Sequence, residues 1–372
     1  MTKFNTEREE LLRKKIADIR PADREAMERA EKRQAELAKP PGSLGKLEDL
    51  SIQIAGITGS LNNRLDSRRV LVFAADNGVC EEGVSSAPQS VTMAQTVNLT
   101  KGLTGCGTLC GHFGVDLEVW DVGVKVPYRC DAVIDRRIAR GTANLYREPA
   151  MTRGQALTAL LVGIEAAEKA SADGVDILGI GEMGIGNTTT SSAVLAVLTG
   201  TDASAVTGRG GGLTDDAFVR KIEVIDGAIA LHRPDPQDPV DVLTKVGGFD
   251  LAAMCGAFLG AAACRIPVVV DGFISIVAAL CAVRLCAAVR DYLIPSHRSY
   301  EKGYALACQE LGFEAYLDLG MRLGEGSGCP IAFEVVSAAC AVLDHMATFE
   351  EAEINDDYLT DIRAGDSFTV TI

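Results

Sequence analysis

The sequence is poor in aromatic residues, histidine and basic charge. Aromatic side chains make up 5% of its 372 residues, and it contains 4 histidines and 1 tryptophan. Lysine and arginine number 36 against 51 aspartates and glutamates, which gives a formal net charge of −15. Because proteins that coat nucleic acid or an anionic membrane need a basic face, this balance argues against both partners. The core is expected to consist mainly of Ala, Val, Leu and Ile.

Long apolar runs, closely paired cysteines and serine-nucleophile motifs are also missing. The longest apolar run in the alanine-rich region, residues 251–264, is shorter than the roughly 20 residues of a membrane helix, and residues 1–15 hold no apolar stretch of signal-peptide length. The 11 cysteines form no CxxC pair, which argues against zinc and favours buried thiols in a reducing compartment. No GxSxG motif is present, so a serine triad has little support. We therefore expect a cytoplasmic protein without a metal site.

What the sequence does contain is an alternation of short apolar runs and helix-length stretches. The apolar runs cover residues 70–75, 117–120, 175–178 and 266–270. Polar or glycine-rich turns follow them at residues 76–78, 121–123, 179–182 and 271–272. The helix-length stretches cover residues 188–198, 214–231, 247–263, 272–289 and 330–346. This pattern predicts a Rossmann-like α/β fold, in which a parallel sheet has helices on both faces and ligands bind at the carboxyl ends of the strands.

The N-terminal segment differs in composition from the rest of the chain. Residues 1–40 hold 11 basic and 9 acidic residues. Leucines and isoleucines between positions 11 and 19 recur at helical spacing, and Pro21 is expected to begin a second helix. A solvated arm and a dimer or cap element both remain open. We predict that residues 1–68 contribute to a small helical domain, that residues 69–310 form the α/β domain, and that residues 311–372 complete the small domain.

The glycine-rich segment GIGEMGIGNTTT, residues 179–190, carries the most information about chemistry. Glycines let a backbone approach a ligand closely, and the N–H groups at the start of a helix favour a phosphate. The segment has no Gly-Lys-Ser/Thr of a Walker loop. Its GxGxxG spacing matches the dinucleotide fingerprint, but residues 200–208 show no convincing second strand ending in an acid, as the fingerprint requires. A dinucleotide site and a merely tight turn therefore remain alternatives.

Two further segments contain glycines beside a charged residue. The cluster TGRGGGL, residues 207–213, precedes a helix for which Thr214 is a plausible N-cap, and Lys221 lies two turns into that helix. Lys221 is either a surface lysine or a point charge on a phosphate. Glu325 lies between glycines in the segment LGEGSG, residues 323–328. A carboxylate on such bare backbone is either a solvated loop residue or a general base.

Seven motifs occur in an order that points to one family. They are KPPGSLGKLE (39–48), ADNGV (75–79), EGVS (82–85), GEMGIGNTT (181–189), TGRG (207–210), VVDGF (269–273) and RLGEGSG (322–328). With these motifs the sequence resembles the nicotinate-nucleotide:dimethylbenzimidazole phosphoribosyltransferases, which activate the lower ligand of cobamides such as vitamin B12. The resemblance spans roughly residues 39–346.

The resemblance implies a reaction and a set of site residues. Family members move the phosphoribosyl group of nicotinate mononucleotide to a nitrogen of a benzimidazole-like base, with inversion at the anomeric carbon, giving α-ribazole 5′-phosphate and nicotinate. Glu325 matches the family's catalytic base. The positions that match contacts to the ribose and phosphate are Glu182, Gly184, Gly186, Asn187, Thr188, Lys221, Gly272 and Ser299. The positions that match the aromatic base pocket are Ser85, Gln95, Met183 and Leu323.

Departures from the family pattern leave the choice of base open. Ala87 stands where many relatives carry an aromatic residue, residues 91–95 are one residue longer than usual, and residues 210–212 replace a Gly-Thr-Gly pattern. Benzimidazole, purine and phenolic bases are the candidate small-molecule substrates. The resemblance further implies a homodimer, with a paired homologous subunit as the alternative, and neither cofactor nor metal. A NAD-dependent oxidoreductase and a nucleotide-sensing binding protein on the same fold remain alternative functions.

Overall fold

The structure, a computed structural model, describes residues 3–359. Within these residues the chain forms one six-stranded sheet, fourteen α-helices and three short 3₁₀ helices. The strands are β1 (Arg68–Ala75), β2 (Asp116–Gly123), β3 (Val133–Asp135), β4 (Ile177–Met183), β5 (Val268–Val270) and β6 (Leu293–Pro295). The helices are α1 (Lys3–Ala17), α2 (Arg24–Glu36), α3 (Lys46–Thr58), α4 (Ser90–Leu99), α5 (Gly105–Phe113), α6 (Arg153–Ala172), α7 (Asn187–Thr199), α8 (Ala203–Val206), α9 (Asp215–His232), α10 (Pro239–Val246), α11 (Phe249–Ala263), α12 (Phe273–Leu285), α13 (Tyr304–Leu311) and α14 (Cys329–His345).

The sheet is parallel throughout, with the strand order β3-β2-β1-β4-β5-β6. The chain builds outward from β1 to β3 and then returns to the centre, where β4 pairs with the other side of β1. Residues 70–75 of β1 are buried on both faces, because α4 contacts β1 and β2, and α11 contacts β1, β2 and β4. The predicted α/β class is confirmed. In sheets of this order, ligands bind outside the carboxyl ends of the strands where the order reverses, here between β1 and β4.

The predicted turn at residues 179–182 is wrong, because these residues belong to β4. Gly181 pairs with Val72, and Glu182 pairs with Phe73 of β1. A Cβ atom on Gly181 would lie 2.4 Å from the carbonyl oxygen of Glu325. This glycine is therefore needed because a second loop lies directly on the strand, and not because the chain turns there. The predicted turn at residues 121–123 likewise belongs to the end of β2.

Most predicted helices are confirmed. The structure contains α7, α9, α11 and α14 close to their predicted bounds. Thr214 caps α9 as predicted, because its hydroxyl accepts the N–H of Ala217 at 3.4 Å. Helix α2 begins after the predicted proline, since Asp23 is its N-cap and accepts the N–H of Ala26. Helix α12 is shorter than predicted, and the chain continues into a 3₁₀ helix. Strands β3 and β6 are absent from the sequence prediction, because three residues show no periodicity.

Helices α6 and α11 pack backbone against backbone. A Cβ on Gly163 of α6 would lie 1.8 Å from the carbonyl oxygen of Ala253, and a Cβ on Gly256 of α11 would lie 1.9 Å from that of Leu160. Neither position can carry a side chain without separating the two helices. Part of the glycine surplus therefore serves helix packing far from any loop.

The chain divides into two compact units, and α1 belongs to the larger of them. This unit comprises the described part of residues 1–20 together with residues 67–332. Helix α1 packs against α6. The Nε of Arg153 donates to Oε1 of Glu9 at 2.6 Å, and Lys15 forms an ion pair with Glu168. The N-terminal helix is thus packed and is not a solvated arm.

The second unit is helical and comprises residues 21–66 with the described residues after 332. Helix α2 packs on α3, and a buried ion pair joins Lys39 to Glu48 at 2.8 Å. An antiparallel bridge pairs Leu37 with Thr348. The domain boundaries at residues 68 and 310 stay a prediction, and residues 360–372 of the predicted C-terminal segment lie outside the described residues. None of the described helices has the length and apolarity needed to cross a membrane.

Candidate active site

A cavity of about 230 Å³ opens at the carboxyl ends of the central strands, within the larger unit. Its walls come from segments that are far apart in sequence. These segments are residues 85–87, 182–188, 210–211, 271–275, 299, 301 and 322–324. The cavity therefore lies beside the reversal point of the sheet, where the fold places ligands.

The Glu325 loop, residues 322–328, has an unusual backbone. Gly324, Glu325 and Gly326 have φ angles of 85°, 63° and 86°. A left-handed conformation costs a non-glycine residue about 1–2 kcal/mol, so surrounding contacts must hold it in place. Such outliers concentrate at functional positions. Glu325 is thus a conformationally constrained carboxylate, and it lies beside the cavity because Gly324, which precedes it, is part of the cavity wall.

The side chain of Glu325 is held by one backbone donor, and its own N–H is held by Glu182. It is 4% exposed, and its Oε2 accepts the N–H of Cys106 at 3.0 Å, in the first turn of α5. Its own N–H donates to Oε1 of Glu182 at 3.1 Å. The start of a helix carries a partial positive charge, which stabilises an anion. The carboxylate is thus oriented by one helix and one strand before any ligand binds.

Glu182 has an acidic neighbour in addition to two N–H donors, which are the backbone of Glu325 and the side chain of Asn187. The Nδ2 of Asn187 donates both to Glu182 and to Oδ2 of Asp250, the latter at 3.1 Å. Burial raises the pKa of Glu182 to about 8, and the nearby charge of Asp250 acts in the same direction. Burial also raises the pKa of Asp250 to about 6. Burial therefore favours the protonated form of Glu182 and reduces the negative charge on this side of the cavity.

Two helix N-termini face the cavity without a side-chain cap. The N-cap of α7 is Gly186, with φ of 93°, and the N-cap of α12 is Gly272. Both glycines line the cavity. Because neither helix start is covered by a capping side chain, both can present N–H groups to a bound anion. This pair is the most suitable place for a phosphate in the cavity.

Lys221 contacts the start of α7 through Thr188. Its side chain is fully buried, and Nζ donates to Oγ1 of Thr188 at 2.9 Å and to the carbonyl oxygen of Gly208 at 3.1 Å. The alternative of a surface lysine is therefore wrong. Burial lowers the pKa of Lys221 to about 8, although the negative charge of Glu301 opposes this shift. The hydroxyl of Thr188 therefore lies between the ammonium group of Lys221 and the start of α7.

Comparison with known proteins assigns the chain to a family. A family model described as a phosphoribosyltransferase matches residues 19–354. The nicotinate-nucleotide:dimethylbenzimidazole phosphoribosyltransferase of Clostridium perfringens is 50% identical over 97% of this chain and 100% of its own length. That of Roseiflexus is 49% identical over 93% of this chain and 98% of its own length. The crystal structure of the enzyme from Thermus thermophilus superposes with a TM-score of 0.85 and 38% identity, covering 90% of this chain and 99% of the other.

The chain belongs to this phosphoribosyltransferase family. The resemblance drawn from the seven motifs is confirmed, and the chain is an enzyme of the transferase class. In this phosphoribosyltransferase, α7 leads into α8 and α9 and not into a strand. The second half of a dinucleotide-binding fingerprint is thus missing at residues 200–208, which removes the basis for a NAD-dependent oxidoreductase.

Most of the predicted site residues of the phosphoribosyltransferase meet at the cavity. The ten that line it are Ser85, Glu182, Met183, Gly184, Gly186, Asn187, Thr188, Gly272, Ser299 and Leu323. Lys221 reaches it through Thr188, and Glu325 follows Gly324 in the wall. Gln95 lies in α4 outside the lining, where its Oε1 accepts Nδ2 of Asn98 at 2.9 Å. The roles of all thirteen residues stay predictions.

Sequence reasoning missed several residues of the site. Asp271 and Arg322 line the cavity, yet only their neighbours Gly272 and Leu323 were selected from the same motifs. Asp250 reaches Asn187 from the start of α11, and its two preceding glycines are the only pattern that marks it. Cys106 contributes a backbone N–H, which no residue type can indicate.

Proposed function

We propose that the chain transfers the phosphoribosyl group of nicotinate mononucleotide to 5,6-dimethylbenzimidazole, giving α-ribazole 5′-phosphate and nicotinate for assembly of the cobamide lower ligand. The observation that carries this proposal is the likeness to relatives of that name over almost the whole chain, together with a constrained carboxylate at the cavity. The two reactants are small molecules that meet in one cleft.

Glu325 is the proposed catalytic base. As one ring nitrogen of the base attacks C1′ of the ribose, the proton on the other ring nitrogen passes to the carboxylate of Glu325. The C1′–N bond to nicotinate breaks, and its electron pair neutralises the cationic ring nitrogen of the leaving nicotinate. Attack from the opposite face inverts the anomeric carbon. The fixed position of Glu325 supports this role, because proton transfer requires a base held within hydrogen-bond distance of the proton.

The nucleotide phosphate is proposed to bind at the two uncapped helix starts. Gly186, Asn187 and Thr188 begin α7, and Gly272 precedes α12. Ser299 adds a hydroxyl, and Lys221 adds positive charge behind Thr188. The ribose then lies over Glu182 and Gly184. In a chain with a net charge of −15, these local donors replace a broad basic field.

The aromatic base is proposed to lie between Met183 and Leu323, with the polar edge of its ring towards Ser85. Leu323 is 59% exposed, so a flat apolar ligand would cover a large side chain that water now contacts. Gln95 remains part of this proposal, although it lies outside the cavity lining. Residues 85–87 are all small, which leaves room for a benzimidazole or a purine ring.

We also propose that the enzyme acts as a cytoplasmic homodimer, as the resemblance implies. Light scattering of the purified protein measures its mass in solution. A mass of about twice the 39.2 kDa of one chain supports the dimer, whereas a monomer contradicts it. An active enzyme that forms only with a second, homologous chain would favour the paired-subunit alternative.

The test of the function is a defined reaction with purified protein. Nicotinate mononucleotide and 5,6-dimethylbenzimidazole are mixed with the enzyme, and chromatography with mass detection follows nicotinate release and the ribosylated base. Nicotinate must appear in equal amount to the new product, and only when the base is present. Absence of turnover with this base and with a panel of purines and phenols would refute the assignment.

A further inference from the structure

Asp271 forms two hydrogen bonds with the backbone of the Glu325 loop. It follows β5 and is 2% exposed. Its Oδ2 accepts the N–H of Gly326 at 3.0 Å, and its Oδ1 accepts the N–H of Gly328 at 2.7 Å. Both carboxylate oxygens are thus engaged by alternate backbone donors of one short loop, immediately after Glu325. Hydrogen bonds to an ionised acceptor are the strong ones.

The opposite side of the loop has no space in which to move. A Cβ on Gly326 would lie 2.9 Å from Cγ1 of Val70, and a Cβ on Gly181 would lie 2.4 Å from the carbonyl oxygen of Glu325. The loop therefore rests directly on β1 and β4. The two strands limit how close the loop can come, and β4 holds it at one point, where Glu182 accepts the N–H of Glu325.

A side-chain clamp is needed because the Glu325 backbone is unfavourable on its own. The left-handed conformation of Glu325, with φ of 63°, directs its carboxylate to the N–H of Cys106. Without the two bonds to Asp271, the chain beyond Glu325 loses its hydrogen-bonded anchors to the end of β5. An extended or helical conformation then becomes favourable for Glu325.

We propose that Asp271 is a positioning residue of the transfer reaction, which fixes the left-handed backbone of Glu325 through the N–H groups of Gly326 and Gly328. The inference rests on the proposed role of Glu325 as the catalytic base. Asp271 also lines the cavity, so the competing explanation is a direct contact to the ribose of the nucleotide. The two explanations differ in which kinetic constant changes.

The test is a double-mutant cycle on the full-length enzyme with Asp271→Asn and Glu325→Gln. The amide introduced by Asp271→Asn keeps the shape of the side chain but turns one acceptor into a donor, which then faces a backbone N–H. We expect kcat to fall by about 10²-fold, because a misplacement of about 1 Å costs that much. The Kd for nicotinate mononucleotide, measured by calorimetry without base, should change by less than about twofold because this binding does not use Glu325.

The cycle distinguishes positioning from independent roles. If Asp271 acts through Glu325, Asp271→Asn causes no further loss in the Glu325→Gln background. An equal loss in both backgrounds, or weaker nucleotide binding, would overturn the inference. If the wild-type enzyme shows no turnover, the proposed function itself fails, and this outcome is distinct from an additive cycle in an active enzyme.

Two further measurements keep the inference testable if Asp271→Asn folds poorly. Ser296→Ala is the matched control, because the Ser296 hydroxyl lies beside Gly328 but has its hydrogen-bond contacts with the carbonyl oxygen of Asp271 at 3.1 Å and with Nδ1 of His297 at 3.0 Å. It should leave kcat within about twofold. In the wild-type enzyme, amide exchange at Gly326 and Gly328 should be as slow as in β5. Fast exchange at both glycines would contradict the clamp.

Discussion

Two glutamates of the site, Glu182 and Glu325, are joined by one hydrogen bond yet are held in opposite ways. Glu182 lies in regular strand geometry beside β1, and its nearest charged neighbour is another acid. Glu325 lies in a left-handed loop, and its carboxylate accepts a backbone N–H at the start of α5. Burial and a neighbouring acid thus favour the protonated form of Glu182 although Asn187 and the backbone of Glu325 donate to it, whereas the loop directs the Glu325 carboxylate to a donor at a helix start.

The difference teaches how a single reacting carboxylate can be selected from several. Where two acids share one site, their surroundings decide which one is ionised and can accept a proton. Burial raises the pKa of Glu182 and favours its protonated form, and its Oε1 accepts the N–H of Glu325. Of the two glutamates, only Glu325 has its carboxylate oriented by a left-handed backbone.

The largest effect is expected for Glu325→Gln. A glutamine keeps the size of the side chain but accepts no proton, so kcat should fall by about 10²- to 10⁴-fold. Nucleotide binding should remain, since the proposed phosphate site at the starts of α7 and α12 does not include Glu325. Steady-state kinetics and calorimetry measure the two effects separately.

Glu353→Gln is the matched control for this change. Glu353 also has a left-handed backbone, with φ of 55°, but it is exposed and lies outside the cavity lining. Its replacement should leave turnover unchanged. If Glu325→Gln behaved like Glu353→Gln, another group would have to accept the proton.

The second effect concerns the surface on which the loop rests. Gly181→Ala places a methyl group where a Cβ lies 2.4 Å from the Glu325 carbonyl oxygen, so the loop must shift. We expect kcat to fall by about 10- to 100-fold, because the carboxylate leaves its productive position. Gly111→Ala in α5, with no atom within 4 Å of its Cβ, should keep full activity and raise stability by about 0.5–1 kcal/mol. Equal activity of both variants would show that the loop tolerates displacement.

The sequence was sufficient for some parts of this contrast and insufficient for others. The parallel sheet and four of its strands follow from apolar runs that end in polar residues, and Glu325 stands out because glycines flank it. The role of Gly181 could not be predicted, because it depends on a loop whose Glu325 is 143 residues from Glu182 in sequence. Asp271 was placed at the right strand end, but its partners are backbone N–H groups. Because every residue except proline has a backbone N–H, residue types do not reveal such contacts.

The third effect concerns the affinity for the nucleotide. Lys221 has a pKa lowered to about 8 by burial, so its positive charge is present below that pH and is lost above it. The affinity for nicotinate mononucleotide should therefore weaken as the pH rises through about 8. Lys221→Met should weaken it by about tenfold at pH 7, the equivalent of roughly 1.4 kcal/mol, and should remove this pH dependence. A variant with an unchanged Kd at pH 7 would mean that Lys221 serves only the packing around Thr188.

The last effect separates the two glutamates by stability instead of rate. The unfolded chain releases the Glu182 proton near the ordinary pKa of 4.5, whereas the folded protein keeps it up to about 8. The folded state therefore binds more protons between these values, and stability falls as the pH rises through this window, by at most about 1.4 kcal/mol per pH unit. In Glu182→Gln this loss is absent, so its melting temperature should rise relative to wild type between pH 5 and pH 9. Asp173→Asn is the control, because Arg69 and Lys169 lower the pKa of Asp173 to about 2, and its contribution is constant over the same range. A parallel pH profile for Glu182→Gln and wild type would show that Glu182 is ionised in the folded protein, and the two glutamates would then compete for the same proton.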